Sequence, residues 1–185
     1  MDLAGQLLIA MPGMGDPRFA RSVVLVCTHD DDGAMGLVLT QPVASPSFAD
    51  VLEELKIEPA QPRADGHPPV LRGGPVEQGR GFMLHTLDCA GTATTRVGDD
   101  LGLTTTVEIL RRAASEDPPR RAALYLGYAG WSANQLEAEI AANGWLTLEA
   151  AQDIVFTCAP DRIYTEALAR LGVSEAFISD SAGHA

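Results

Sequence analysis

The chain has 185 residues, 46% hydrophobic and 21% charged, with a net charge of -12. That length fits one domain with a full core, and the apolar content excludes a disordered chain. Lys56 is the sole lysine and the arginines are scattered, in pairs at most (Arg111–Arg112, Arg120–Arg121), which argues against a phosphate-backbone binder that works by massed cations.

In chain order, residues 5–11 read as a short buried strand stopped by Pro12, and the early apolar run lacks the basic flank of a signal peptide. Residues 22–29 and 34–40 form a hairpin around Asp30–Asp31–Asp32–Gly33. Ser47 opens a helix with Phe48, Val51, Leu52 and Leu55 on one face, ending before Pro59. Residues 58–69 read as an exposed loop. Val70–Arg72 leads through a glycine-rich turn into a strand at 81–86, a second hairpin, and Thr92–Arg96 reads as a further strand.

Thr105 and Glu108 match a capping box for a helix with Val107, Leu110 and Ala114 inward. Residues 122–128 read as a core strand. Ser132 and Gln135 match a second box, with Trp131 and Leu136 at the hydrophobic-staple positions and Asn143–Gly144 as the helix stop. A strand is expected at 153–158, and a last helix from Asp161 to Gly172, followed by a frayed tail. The fold class expected is α/β of the α+β type: a single domain over 1–185 with its core at about 5–172, built on a mixed, largely antiparallel sheet or partial barrel with about four packed helices.

No motif states a chemistry. Cys27, Cys89 and Cys158 are widely separated, as expected of free thiols in a reducing cytoplasm. Cys27 and His29 lie two apart on one strand, facing one side. With His85 and Cys89 they suggest zinc, but no short Cys pair supports it, and no metal or cofactor is expected. The aspartates at 30–32 lack the calcium-loop spacing. His85 and Asp88 with Cys89 or Ser132 form the one imaginable triad, without a nucleophile elbow. There is no phosphate-binding glycine loop, no run approaching a membrane span, and Glu137 and Glu139 read as a solvated face.

GQLLIAMPGM near the start, SVVLVCTHDDDGAMGLVLTQP, LRGGPVEQGRGFMLHT and LGYAGWSANQLEAEIAANGWL occur in order over about residues 5–172. Together they resemble the AlgH-like (YqgE) family of bacterial proteins. Thr40 and Tyr164 depart from the residues usual there. The resemblance implies a compact cytosolic α/β domain. The family is commonly labelled as transcriptional regulators, without a recognised DNA-binding module and without agreed catalytic residues.

The reading that follows is a non-enzymatic regulatory or partner-binding protein, with a protein partner or small ligand, no direct binding of duplex DNA and no membrane association. The alternative is a small hydrolase or transferase centred on His85. No catalytic residue is assigned. The candidate binding residues are Gly73, Gly74, Pro75, His85 and Trp131: three in a glycine-rich loop, a histidine at the end of the strand it feeds, and an aromatic before a helix.

Overall fold

A computed structural model describes residues 2–12, 14, 16–60 and 66–174. The middle of the expected loop at 58–69 and nearly all of the expected frayed tail lie outside the described residues. Among the described residues nine strands form one curled, mostly antiparallel sheet. They are β1 (Gln6–Ala10), β2 (Val23–Asp30), β3 (Gly33–Val38), β4 (Val70–Arg72), β5 (Val76–Thr86), β6 (Thr95–Val97), β7 (Leu101–Thr104), β8 (Ala122–Ser132) and β9 (Trp145–Glu149). The order is β6-β7-β5-β8-β3-β2-β1-β9, with β4 joined to β8 in parallel. Residues from both ends of this order, Leu7 and Ile9 with Val97 and Leu101, share one buried cluster, so the sheet curls into a half-barrel around it.

That inner core is capped by α4 (Ile163–Arg170), which buries Ile163, Tyr164, Ala167 and Leu168. The Tyr164 hydroxyl donates to the Ala10 carbonyl at 2.9 Å. The outer face carries three short helices. α3 (Gln135–Ala141) packs against β3, β8 and β9 through Leu136, in a cluster with Trp131, Trp145 and outer-face residues of β1 and β2. α1 (Phe48–Glu54) and α2 (Val107–Ala113) cover β5 and β8 with Phe48, Leu52, Ile109 and Ala113. Burying each large apolar side chain contributes about 2 kcal/mol. α1 begins with a complete capping box, in which Asp50 N–H donates to Ser47 Oγ and Ser47 N–H to Asp50 Oδ2.

Several sequence expectations are corrected. Val70–Arg72 and 81–86 are not hairpin partners. β4 and β5 lie on opposite edges of β8, because β8 is long enough to pair with both and with β3. Residues 153–158 are not a strand: Asp153–Thr157 is a π-helical turn that puts Ile154 and Val155 into the inner core. The β-branched composition was misleading there, because tertiary packing overrides propensity. β7 and β9 pair as strands where none was expected.

α2 starts one residue later than its expected box, on Thr106, and leaves Val107 exposed. α3 is preceded by Asn134 in a left-handed conformation, while Ser132 ends β8 and donates to Gln135 Oε1. The turn at Asp31–Asp32 is two residues long. A bulge between Val26 and Thr28 reverses the side-chain alternation of β2. Cys27 still follows Val23 and Leu25 into the inner core, while His29, beyond the bulge, reaches α3 on the outer face, its Nε2 2.8 Å from Glu137 Oε1.

Candidate functional site

His85 is fully buried near the end of β5, between Ala122 of β8 and Gly102 of β7. Its Nδ1 lies 2.9 Å from the Thr86 carbonyl and its Nε2 2.9 Å from Thr104 Oγ1. A carbonyl only accepts, so Nδ1 carries a proton and donates it. In that tautomer Nε2 accepts from the Thr104 hydroxyl. Thr104 Oγ1 in turn lies 2.9 Å from Thr94 Oγ1, which accepts the Gly91 amide at 3.0 Å. Both ring nitrogens are spent inside the fold.

Cys89 Sγ is 3.4 Å from Nδ1, the nitrogen that already holds a proton, so the imidazole offers the thiol no base. Burial first, then the Asp88 carboxylate, push the Cys89 thiol up, which keeps thiolate scarce. Asp88 accepts the Arg120 amide at 3.0 Å instead of orienting the ring. Ser132 faces Gly33 at the far end of β8 from His85. The imagined triad is not assembled.

The glycine loop has a definite task. β4 and β3 lie end to end along one edge of β8, and Gly73 joins them, receiving the Val38 amide and donating to the Leu126 carbonyl, both at 2.8 Å. The chain then crosses the face of β8 to begin β5 on the other edge. A Cβ on Gly73 would stand 2.2 Å from the Gly127 carbonyl oxygen, and one on Gly74, whose φ is +156, would stand 2.1 Å from the Tyr128 carbonyl carbon. The backbone that approaches these glycines is the chain's own.

Beyond the crossover the surface opens. Gly74 and Pro75 line a cavity of about 200 Å³ with Arg18, Phe19, Gln41 and Arg72. Pro75, Arg18 and Phe19 also line an adjoining cleft of about 450 Å³ that holds Trp131, Glu139 and Trp145. Glu139, half-buried on α3, accepts both indole N–H groups on Oε2, at 2.9 Å from Trp131 and 2.8 Å from Trp145, and Gln135 Nε2 on Oε1 at 2.9 Å. Trp131 and Phe19 each meet Trp145 edge to face. The fold therefore brings Gly74, Pro75 and Trp131 to one region and leaves His85 apart, with Gly73 buried beneath the crossover. Sequence reasoning missed Glu139, Arg72 and Phe19. One signal was present: Gln135 and Glu139 stand four apart, on the α3 face that follows Trp131.

A second concavity, about 440 Å³, lies between α1 and α2 over β5 and β8. Met83, Leu124 and Leu126 form its floor, with Leu55 on one rim and Val107 on the other. These two are 40% and 39% exposed, and they are two of the three large apolar side chains that stand exposed among the described residues. Glu54 is the single titratable residue in its lining. Among the described residues no group of three or more His, Cys, Asp or Glu is placed to hold a metal ion, and no helix is long and apolar enough to cross a membrane.

A family model described as AlgH-like matches residues 7–176. A UPF0301 protein of Ruegeria pomeroyi is 51% identical over the whole of both chains. Another, of Methylobacterium nodulans, is 50% identical over 99% of this chain and 90% of its own. Among solved structures, the solution structure of the AlgH protein from Pseudomonas aeruginosa superposes with a TM-score of 0.78 at 41% identity, over 100% of this chain and 97% of that one. The crystal structure of protein DIP2367 from Corynebacterium diphtheriae gives 0.70 at 22% identity, over 91% and 86%, and so shares the fold.

Proposed function

The chain belongs to the AlgH-like family, and we propose that it works as a cytoplasmic, non-enzymatic binding protein that takes an apolar-anchored, basic segment of a protein partner into the groove between α1 and α2. The carrying observation is the pair Leu55 and Val107, held in water on facing rims above an apolar floor. Exposed apolar surface of this kind marks contact sites, and a groove whose one titratable residue is Glu54 has no acid–base pair for chemistry.

The charge of the partner follows from the wall of the groove. α1 carries Asp50, Glu53 and Glu54 and no cation. Of the charged side chains on the two helices only Glu54 lines the groove, the α2 pair Arg111 and Arg112 standing outside it. The net charge of the chain is -12. A lysine- or arginine-rich segment with a leucine- or phenylalanine-like anchor fits both features, in the helix-in-groove manner. Any regulatory effect then runs through that partner. Duplex DNA alone would be bound no tighter than micromolar at physiological salt, a point that fluorescence anisotropy checks.

The test is cross-linked capture from the native bacterium with the tagged full chain, its Leu55→Glu and Val107→Asp variants, and Arg96→Gln as a control on the distant edge strand β6. The expected result is a partner recovered by wild type and control and lost by both groove variants at unchanged melting temperature. Its cross-links should map to a basic segment, and recovery should fall as salt rises. Equal recovery by the groove variants, or cross-links to an acidic segment, would overturn the reading.

A further inference from the structure

The crossover cleft shares only Gln78 with this groove and has different chemistry. The cavity of about 200 Å³ beside Gly74 and Pro75 is lined by two arginines and no carboxylate, on a chain with 25 acidic residues against 13 basic ones. The two arginines are not equivalent. Arg18 grips Asp16 through Nε at 3.0 Å and Nη2 at 2.6 Å, so its charge is answered within the fold. The Arg72 side chain is exposed, and its guanidinium has no hydrogen-bonding or ion-pair partner among the described residues. Its position is fixed from behind: its amide donates to the Gln41 carbonyl at 2.8 Å, and Gln41 Nε2 donates to the Arg18 carbonyl at 3.2 Å. One guanidinium free of any carboxylate therefore stands at one end of a cleft whose continuation is aromatic.

That continuation is fixed by Glu139. Its carboxylate is held by both indoles and by Gln135, which locks the Trp131–Trp145 pair in place and leaves Glu139 poorly available to a cationic ligand. Between Arg72 and the indoles lie Phe19, Pro75 and Val76, the last 36% exposed. We propose that this cleft binds an organic monocarboxylate with an apolar or aromatic body, either a small free acid or the C-terminal residue of a peptide. The planar guanidinium of Arg72 takes the carboxylate through paired N–H donors. The body lies along Phe19 and Pro75 toward the indoles. A single charge is preferred over a phosphate dianion because Asp16 answers Arg18, Glu139 adds a second negative charge to the cleft, and Arg72 alone is left to meet the ligand.

The molecule carries its own reporter, since its only two tryptophans both line the cleft. Intrinsic fluorescence of the full chain is followed while 3-phenylpropionate, its neutral amide and 3-phenylpropylphosphonate are added. The expected result is a saturable change with the carboxylate. Binding should be at least tenfold weaker, about 1.4 kcal/mol, for the amide and the phosphonate, and equally weakened in Arg72→Gln, a surface variant whose melting temperature stays at the wild-type value. Arg72→Lys, which keeps the charge and loses the fork, should fall between. A peptide ending in a free phenylalanine carboxylate, compared with its amidated form, separates the two sources: tighter binding than phenylpropionate assigns a peptide C-terminus, and equal or weaker binding assigns a small acid. No saturable change up to about 10 mM, a range that covers millimolar ligands, would overturn the proposal. So would equal response to the amide, or undiminished response in Arg72→Gln.

Discussion

The outer face of the sheet carries α3 at one end and the α1–α2 pair at the other, and the two ends are held by different forces. α3 has one fully buried apolar residue, Leu136. It is fastened by directional bonds from two indoles and a carboxamide to Glu139. α1 and α2 are held by non-directional burial of Phe48, Leu52, Ile109 and Ala113, and they present more apolar surface than the core takes, at Leu55 and Val107. Directional bonds fix a surface to within tenths of an ångström, which suits recognition of a small ligand. Surplus apolar area tolerates sliding, which suits a segment of partner chain.

The comparison depends first on the crossover that separates the two ends. Gly74→Ala places a Cβ 2.1 Å from β8 backbone, so a loss of about 4 kcal/mol or outright failure to fold is expected. A variant that folds with an unchanged urea midpoint would show that the crossover is loose. Glu139→Ala strands two indole N–H groups and should cost about 2–4 kcal/mol, with a red shift of tryptophan emission as α3 loosens. Glu139→Gln keeps an acceptor and should cost less. By contrast, Leu55→Ala and Val107→Ala should each change stability by no more than about 0.5 kcal/mol. If these two cost as much as Glu139→Ala, the ends do not differ.

The smallest effect expected is one of pH. The Ser47 amide and hydroxyl hold Asp50 below the usual carboxylate range. A depressed carboxyl contributes its stabilisation in full above its unfolded value, near 4, and loses it as pH falls through the folded one. Asp50→Asn should therefore lower the melting temperature at neutral pH, and the difference from wild type should shrink steadily as the pH falls below the unfolded value.

The hydrophobic pattern made most of the strands legible, together with α1, α3 and α4, because alternation and capping residues act locally. The edges of the sheet were not legible. β7 is four residues of which one is glycine, and β9 follows a helix stop with no turn of its own; both are strands because a neighbour pairs with them. The partnership of β4 was hidden for the same reason. Its neighbour is set by β8, some fifty residues later, and the glycines between β4 and β5 read equally as a hairpin turn or a crossing.

At the site, the loop glycines and Trp131 were visible by composition, and Arg72 was not, because an arginine on a strand reads as ordinary surface until its neighbours are placed. His85 drew attention as a titratable group, yet the bonds that close it come from Thr86 and Thr104, and Thr104 is distant in sequence. His29 changed face through a bulge that no residue type announces.

β8 also governs the order in which the chain can assemble. It is the one strand shared by β3, β4 and β5, and the pairing of Met35 with Gly130 spans about half of the polypeptide. On a ribosome, β1, β2 and β3 can pair as they emerge. β4 and β5 must wait for β8, carrying Val70, Leu71 and Phe82 uncovered meanwhile. Such non-local closure slows folding and leaves an aggregation-prone interval. A nascent chain arrested before residue 122 lacks the strand that unites its two halves, and chaperone occupancy on stalled chains should drop once β8 has cleared the exit tunnel.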